Sequence, residues 1–297
     1  MVNDKHAALH EIAYDLRKTA RDKLSGNWLK FFAGYLCFYL LTSGISLMLV
    51  VFFPGKFYFT GTNQMVNLPW VAFLFVMIMF GPMRLGLFEY NLKFFDEGKI
   101  RWSLVFGGFR HIIKSMGVYV IKTCLVFWPM VLVVLSAFMY LIVFATASNI
   151  GNVLIYKPVF FVIFMVLFFV TFVIAVIYMV YAKLRLSMAM IILGDDESKC
   201  ALVCLRESSE MMHGHKTELL FLLITYLGWY LAALVSAVVI TLLINYLFPN
   251  QYLQIITMPV ALAWLITLIP LVVVKEYALT GIMGFYRKIS AQMEEQK

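Results

Sequence analysis

The sequence predicts an all-α, polytopic membrane protein: six transmembrane helices in three hairpins, each hairpin led by an amphipathic helix on the cytoplasmic face. Three observations carry that expectation. First, the 297 residues are 63% hydrophobic and only 13% charged, with a mean hydropathy of +0.89. Soluble domains run nearer half apolar and a quarter charged. Second, six runs reach the roughly 20 apolar residues that a helix needs to cross a bilayer core; they fall at 29–53, 68–92, 116–145, 158–182, 219–248 and 255–275. Third, the charges lie between these runs, almost all on one side. Disorder is excluded by the same composition, because 27 Phe, 16 Tyr and 6 Trp favour burial over solvation.

Residues 1–28 precede the first run. They are charged and lack an early apolar stretch, so no cleavable signal peptide is expected. Leu9, Ile12, Ala13, Leu16, Ala20 and Leu24 recur at helical spacing, with Arg17, Lys18, Arg21 and Lys23 elsewhere on the wheel. The runs that follow are unbroken, unlike the alternating ten-residue segments of membrane barrels, and are expected as helices. A second amphipathic stripe, Trp102, Val105, Phe106, Phe109, Ile112 and Ile113, leads the third and fourth runs. A third extends from about Glu197 to His213, with acids at its start, where they suit the helix dipole. The fifth run is long enough to tilt or to emerge from the membrane.

An even number of spans puts both termini on one side. Of the 24 basic residues only Lys56 and Lys157 fall on the other side, and all 16 acids share the termini's side. The positive-inside rule makes that side cytoplasmic. The net charge of +8 is then a topology signal plus attraction to anionic inner-leaflet lipid, and nucleic acid is not an expected partner.

Each amphipathic segment is expected to end at a glycine break, at Gly26, Gly117 and Gly214, spaced 91 and 97 residues apart. Arg84-Leu85-Gly86 stands before Asp96-Glu97 much as Arg185-Leu186-Ser187 stands before Asp196-Glu197. The expected organisation is one membrane domain, 1–297, in three pseudo-repeats of approximately 1–94, 95–186 and 187–297.

Two segments carry a resemblance. They are the amphipathic N-terminus closing on Gly26-Asn27-Trp28, and a later stretch with Asp195-Asp196, Leu205-Arg206-Glu207-Ser208, His213-Gly214-His215-Lys216 and Gly228-Trp229. With the near-terminal Phe285-Tyr286-Arg287, they make the chain similar to a bacterial integral membrane family known only as domain of unknown function 975. The resemblance implies a bacterial cytoplasmic membrane and a helical architecture; it implies no reaction.

Charges inside the runs are the most informative chemistry. Lys122 lies about 10 Å into the third run at 1.5 Å per residue. Arg84 lies inside the second, just past Gly81-Pro82. A mid-membrane charge costs about 2.5–3.5 kcal/mol on insertion scales, so it faces protein or snorkels to the surface. Arg84, Lys122, Arg185 and Lys183 are the candidates for a basic cavity that takes an anionic group, such as a lipid headgroup or a peptide carboxylate. Glu89 and Glu218 lie at similar depth as candidate charge partners, and Trp28 and Trp102 as interfacial anchors. Pro82, Pro129 and Pro270 each interrupt a run and free a backbone carbonyl.

Other constellations are weaker. His213, His215 and Lys216 suit helix termination, headgroup contact or pH sensing better than metal binding, for which further ligands would be needed. Cys200 and Cys204, four residues apart, suit packing better than zinc. The sequence has no phosphate loop, no His-Glu-x-x-His, no Gly-x-Ser-x-Gly and no paired Cys-x-x-Cys. No catalytic residue, metal or cofactor is therefore expected. The leading expectation is a transport or lipid-handling component without its own energy source. The alternative is a scaffold for another membrane complex such as an exporter. Membrane lipids are the expected partners under the first, a membrane protein under the second.

Overall fold

Uninterrupted apolar runs can satisfy their backbone polar groups inside a bilayer only as helices or closed barrels, and this chain is built of helices. A computed structural model describes residues 2–29, 31–32, 34–36, 38, 45, 48–49, 56–58, 65–67, 70–99, 101–148, 157–247 and 257–295. Helix α1, Val2–Leu24, buries Ala13, Ala20 and Leu24 and leaves Lys18, Arg21 and Lys23 exposed. It closes at Gly26, whose φ of 78° falls in the left-handed region that glycine enters without steric cost. The described positions from 28 to 49 are again helical. Two short antiparallel strands follow, β1 at Lys56–Tyr58 and β2 at Met65–Asn67, with Lys56 opposite Asn67. They depart from the all-helical expectation only in a connection between apolar runs.

Helix α2, Trp70–Glu97, runs through Pro82 and is followed by Gly98 at a φ of 68°. A 3-10 helix, Trp102–His111, passes straight into α3, Ile112–Ser148, so the break expected at Gly117 does not occur. Glycines explain the difference. A Cβ on Gly108 would collide with the Pro82 carbonyl, and one on Gly86 with the Val105 carbonyl. The 3-10 helix is therefore nested backbone to backbone on α2, and Gly117 is left as an interior helical residue. After α4, Lys157–Arg185, come two short helices, α5 at Ala189–Asp195 and α6 at Ala201–Met211. Gly214, at a φ of 86°, precedes α7, Lys216–Leu247, and α8, Thr257–Glu295, completes the chain. Pro129 and Pro270 lie inside α3 and α8, which continue past them.

Ala189 to Gly194 of α5 are all buried, and Ala189 to Leu193 share the larger apolar core with Leu85, Leu92, Tyr226 and Phe285. A second core gathers Phe31, Tyr35, Tyr90, Phe94 and Val272. Outside these cores the apolar surface is extensive. Among the described residues three helical stretches are long and apolar enough to cross a membrane: Trp102–Met139, Val162–Asp195 and Lys216–Ile240. Phe127, Val134, Phe169, Ile177, Val235 and Val239 stand exposed along them. Leu and Val side chains left open in such numbers imply lipid as the solvent. These three stretches overlap most of the runs 116–145, 158–182 and 219–248. The runs 68–92 and 255–275 fall on α2 and α8, whose side chains are described only in part, and most of 29–53 lies outside the described residues.

Candidate functional site

The cations singled out in the sequence separate into two groups. Arg84, on α2, is half-buried with its guanidinium 4.8 Å from the centre of the Phe80 ring. Lys122, on α3, is half-buried and within electrostatic reach of both Arg84 and Lys183. Three helices thus bring like charges together, and no acidic side chain forms an ion pair with any of the three among the described residues. Arg185 is apart from them. Two residues beyond Lys183 on a helix is about 200° around the axis, and the Arg185 Nε donates instead to Ser209 Oγ of α6 at 2.6 Å.

Arg185 lines a groove of about 580 Å³ between α3, α4 and α6, which Arg84, Lys122 and Lys183 do not line. Leu125, Ala182, Leu186 and Leu205 give it an apolar floor, and Tyr178 and Tyr181 stand beside them. At the rim the Arg206 Nε donates to Glu210 Oε1 at 2.9 Å. Lys216 Nζ donates to the Tyr181 hydroxyl at 3.0 Å and lies 4.3 Å from that ring's centre. Glu210 is taken up by Arg206, so among the described residues the Arg185 charge is met only by a neutral hydroxyl. The arrangement suits a ligand with an anionic head and an apolar body.

The expected carboxylate partners turn elsewhere. Glu218 Oε1 lies 3.2 Å from His215 Nδ1 at the start of α7, a neighbour that the turn at Gly214 supplies. Glu89 is 2% exposed, with its side chain wedged against Gly107 and Gly194, and its Oε1 has no hydrogen-bond partner among the described residues. The charges closest in effect to Glu89 are those of Glu197, Lys93, His111 and Arg110, not Arg84 or Lys122. His213 is exposed at the end of α6, where its backbone N–H donates to the Glu210 carbonyl at 3.0 Å. Trp28, 37% exposed, tilts against Tyr277 with ring centres 6.2 Å apart, and Trp102 is 48% exposed. Among the described residues no three His, Cys, Asp or Glu side chains gather as metal ligands.

One constellation lies outside the candidate site residues that the sequence marks. Arg287 of α8 donates through Nε to Asp96 Oδ1 at 3.0 Å, and through Nη1 and Nη2 to Asp195 at 3.0 and 2.9 Å. The Tyr286 hydroxyl donates to Asp195 Oδ2 at 2.9 Å. Burial works against the Arg287 charge, yet hydrogen bonds to Asp96 and Asp195 hold its pKa above the ordinary value. Burial, then the Asp195 charge beside it, raises the Tyr286 pKa. The guanidinium fork joins the end of α2 to the end of α5 through α8. Asp195, Tyr286 and Arg287 all belong to segments that carry the resemblance, so the resembling segments meet in space.

The family model described as "Protein of unknown function (DUF975)" matches residues 12–293. The chain belongs to this family. No curated protein and no solved structure matches it. In this DUF975 member the clamp brings an acidic turn and a near-terminal Tyr-Arg, far apart in sequence, into contact. It is a structural contact, and none of its residues lines the groove at Arg185.

Proposed function

We propose that the chain is a six-span protein of a bacterial cytoplasmic membrane, with both termini cytoplasmic, that takes an anionic lipid headgroup in the groove between α4 and α6. The observation that carries this is Arg185: a guanidinium at an apolar groove, held by a hydroxyl and balanced by no acid among the described residues. Phosphate oxygens beside Arg185 would accept charge-assisted hydrogen bonds from its Nη groups, with the Ser209 hydroxyl as a further donor. The acyl chains would lie along the exposed apolar faces of α3 and α4. The cluster of Arg84, Lys122 and Lys183 adds positive potential, and the positive-inside rule favours both groups at the anionic inner leaflet. Six spans in three hairpin pseudo-repeats, with amphipathic helices on the inner face, is the architecture that this role assumes. Lacking a nucleotide site, such a protein handles lipid without an energy source of its own.

The test is thermal unfolding of the purified protein in neutral detergent with added phosphatidylglycerol or phosphatidylcholine. Phosphatidylglycerol raises the midpoint more than phosphatidylcholine, and Arg185→Ala removes at least half of that difference. Lys18→Ala, an exposed basic position on α1, keeps it. Equal responses to the two lipids, or an unchanged difference in Arg185→Ala, would show that the groove has no such role.

A further inference from the structure

Among the described residues the groove at Arg185 is lined by one acidic side chain, Glu210 of α6. Glu210 follows Ser209, whose Oγ accepts from Arg185 Nε at 2.6 Å, and both side chains line the same groove. Consecutive Cα atoms are about 3.8 Å apart, so a phosphate held at Arg185 and a group held at Glu210 are separated by a few atoms. Glu210 is paired with Arg206, four residues before it, at 2.9 Å, with side chains 56% and 82% exposed. Such exposed pairs are weak and readily exchanged for another partner. The order of the two is also the less favourable one, since an acid suits the N-terminal side of an i, i+4 pair. The Arg206 bond goes to Oε1 and is the only side-chain bond that the carboxylate receives among the described residues.

Charge and hydrogen-bonding capacity together narrow the ligand. Arg206 and Glu210 cancel, so the lining carries one net positive charge, that of Arg185. A phosphodiester, with its single negative charge, balances it. A phosphomonoester carries about two negative charges above pH 7 and sets the second against Glu210. A zwitterionic headgroup that ends in an ammonium is neutral and leaves the Arg185 charge uncompensated. An ionised carboxylate only accepts hydrogen bonds, so the part of a headgroup that reaches Glu210 must donate them, and hydroxyls do so without adding charge. We propose that Glu210 selects, among anionic lipids, phosphodiesters whose headgroup carries free hydroxyls, as a glycerol headgroup does. This selection presupposes the lipid reading of the groove, to which it adds the class of headgroup that fits.

Thermal unfolding of the purified full-length protein in neutral detergent, titrated with dioctanoyl phosphatidylglycerol or dioctanoyl phosphatidylpropanol, tests it. The two lipids share one charge and differ only in the headgroup hydroxyls. Both raise the wild-type midpoint, as ligands selective for the folded state must, and phosphatidylglycerol half-saturates at about tenfold lower concentration. Glu210→Ala removes that advantage while the response to phosphatidylpropanol persists. Arg206→Ala, which takes away the competing partner, keeps it. Equal half-saturation by the two lipids in the wild type overturns the selection and leaves lipid binding standing, whereas no response to either lipid removes the lipid reading of the groove and the selection with it. An advantage that survives Glu210→Ala, or one lost in Arg206→Ala, overturns the role of Glu210. Tighter binding of dioctanoyl phosphatidic acid than of phosphatidylglycerol at pH 8 overturns it as well.

Discussion

Arg287 shows what a single side chain does when it meets two acids from distant parts of the chain. Its fork engages Asp96, 191 residues away, and Asp195, 92 residues away, with all three side chains about two-thirds buried. Arg287→Ala leaves two aspartates facing each other and costs about 1–2 kcal/mol, the exposed fraction weakening the effect through solvent screening. Arg287→Lys recovers little, because an ammonium is a point charge and spans no fork. Unfolding midpoints of the two variants in detergent check this, and an alanine variant as stable as wild type contradicts it. Cys200, at the N-cap of α6, and Cys204 within it give a second residue-level prediction. Cys204 is fully buried, and burial with Glu207 nearby pushes its thiol up to about 11, while Cys200 is exposed. The Cys204 thiol stays protonated below that pH. Maleimide followed by peptide mapping therefore labels Cys200 and spares Cys204 until the protein unfolds. Equal labelling of the folded protein would show that α6 is not packed as described. Neither contact is legible from one residue: the sequence marks Arg84 and Lys122 by depth alone, whereas Arg287 acts through partners that only folding brings near.

Between elements, glycine decides how closely backbones approach. Gly86 and Gly108 let the 3-10 helix nest on α2, where a Cβ at either position would meet a carbonyl. Gly108→Ala is expected to cost about 1–3 kcal/mol through overpacking. Gly228, inside α7 with nothing within 4 Å of a built Cβ, provides the control. Gly228→Ala is neutral or stabilising by up to about 1 kcal/mol, because alanine restricts the unfolded chain and favours helix. Denaturant midpoints that fall equally for both variants would rule out the close approach as the cause. The sequence locates the second stripe, Trp102 to Ile113, but not its backbone. Helical spacing is nearly the same for a 3-10 and an α-helix over one or two turns, and the glycines that choose between them act through α2. Gly117 misleads for the same reason. Its Cβ would lie 3.3 Å from that of Ala201, so it serves helix packing and not termination.

For the whole molecule, hydropathy and charge placement carry most of what the sequence can say, because membrane insertion reads those two quantities and little else. The long apolar helices α3, α4 and α7 coincide with unbroken runs in the sequence, and by charge placement Lys56 and Lys157 are the only basic residues expected on the opposite side. The expected topology is checked by fusing green fluorescent protein or alkaline phosphatase to the C-terminus. A fluorescent fusion and an inactive phosphatase agree with both termini cytoplasmic, and the reverse pair contradicts it. The groove is less legible. Depth and charge alone group Arg185 with Arg84, Lys122 and Lys183 in one basic cavity, but a two-residue step around α4 sends Arg185 to α6 and leaves the others together. Ser209, which holds it, stands out by no motif. Whether this groove binds an anionic lipid is tested most directly by native mass spectrometry of the detergent-released protein. The wild type retains phosphatidylglycerol in preference to phosphatidylcholine after collisional activation, and Arg185→Ala loses that preference. A wild type that sheds both lipids alike, or an Arg185→Ala protein that keeps the preference, contradicts lipid binding in the groove.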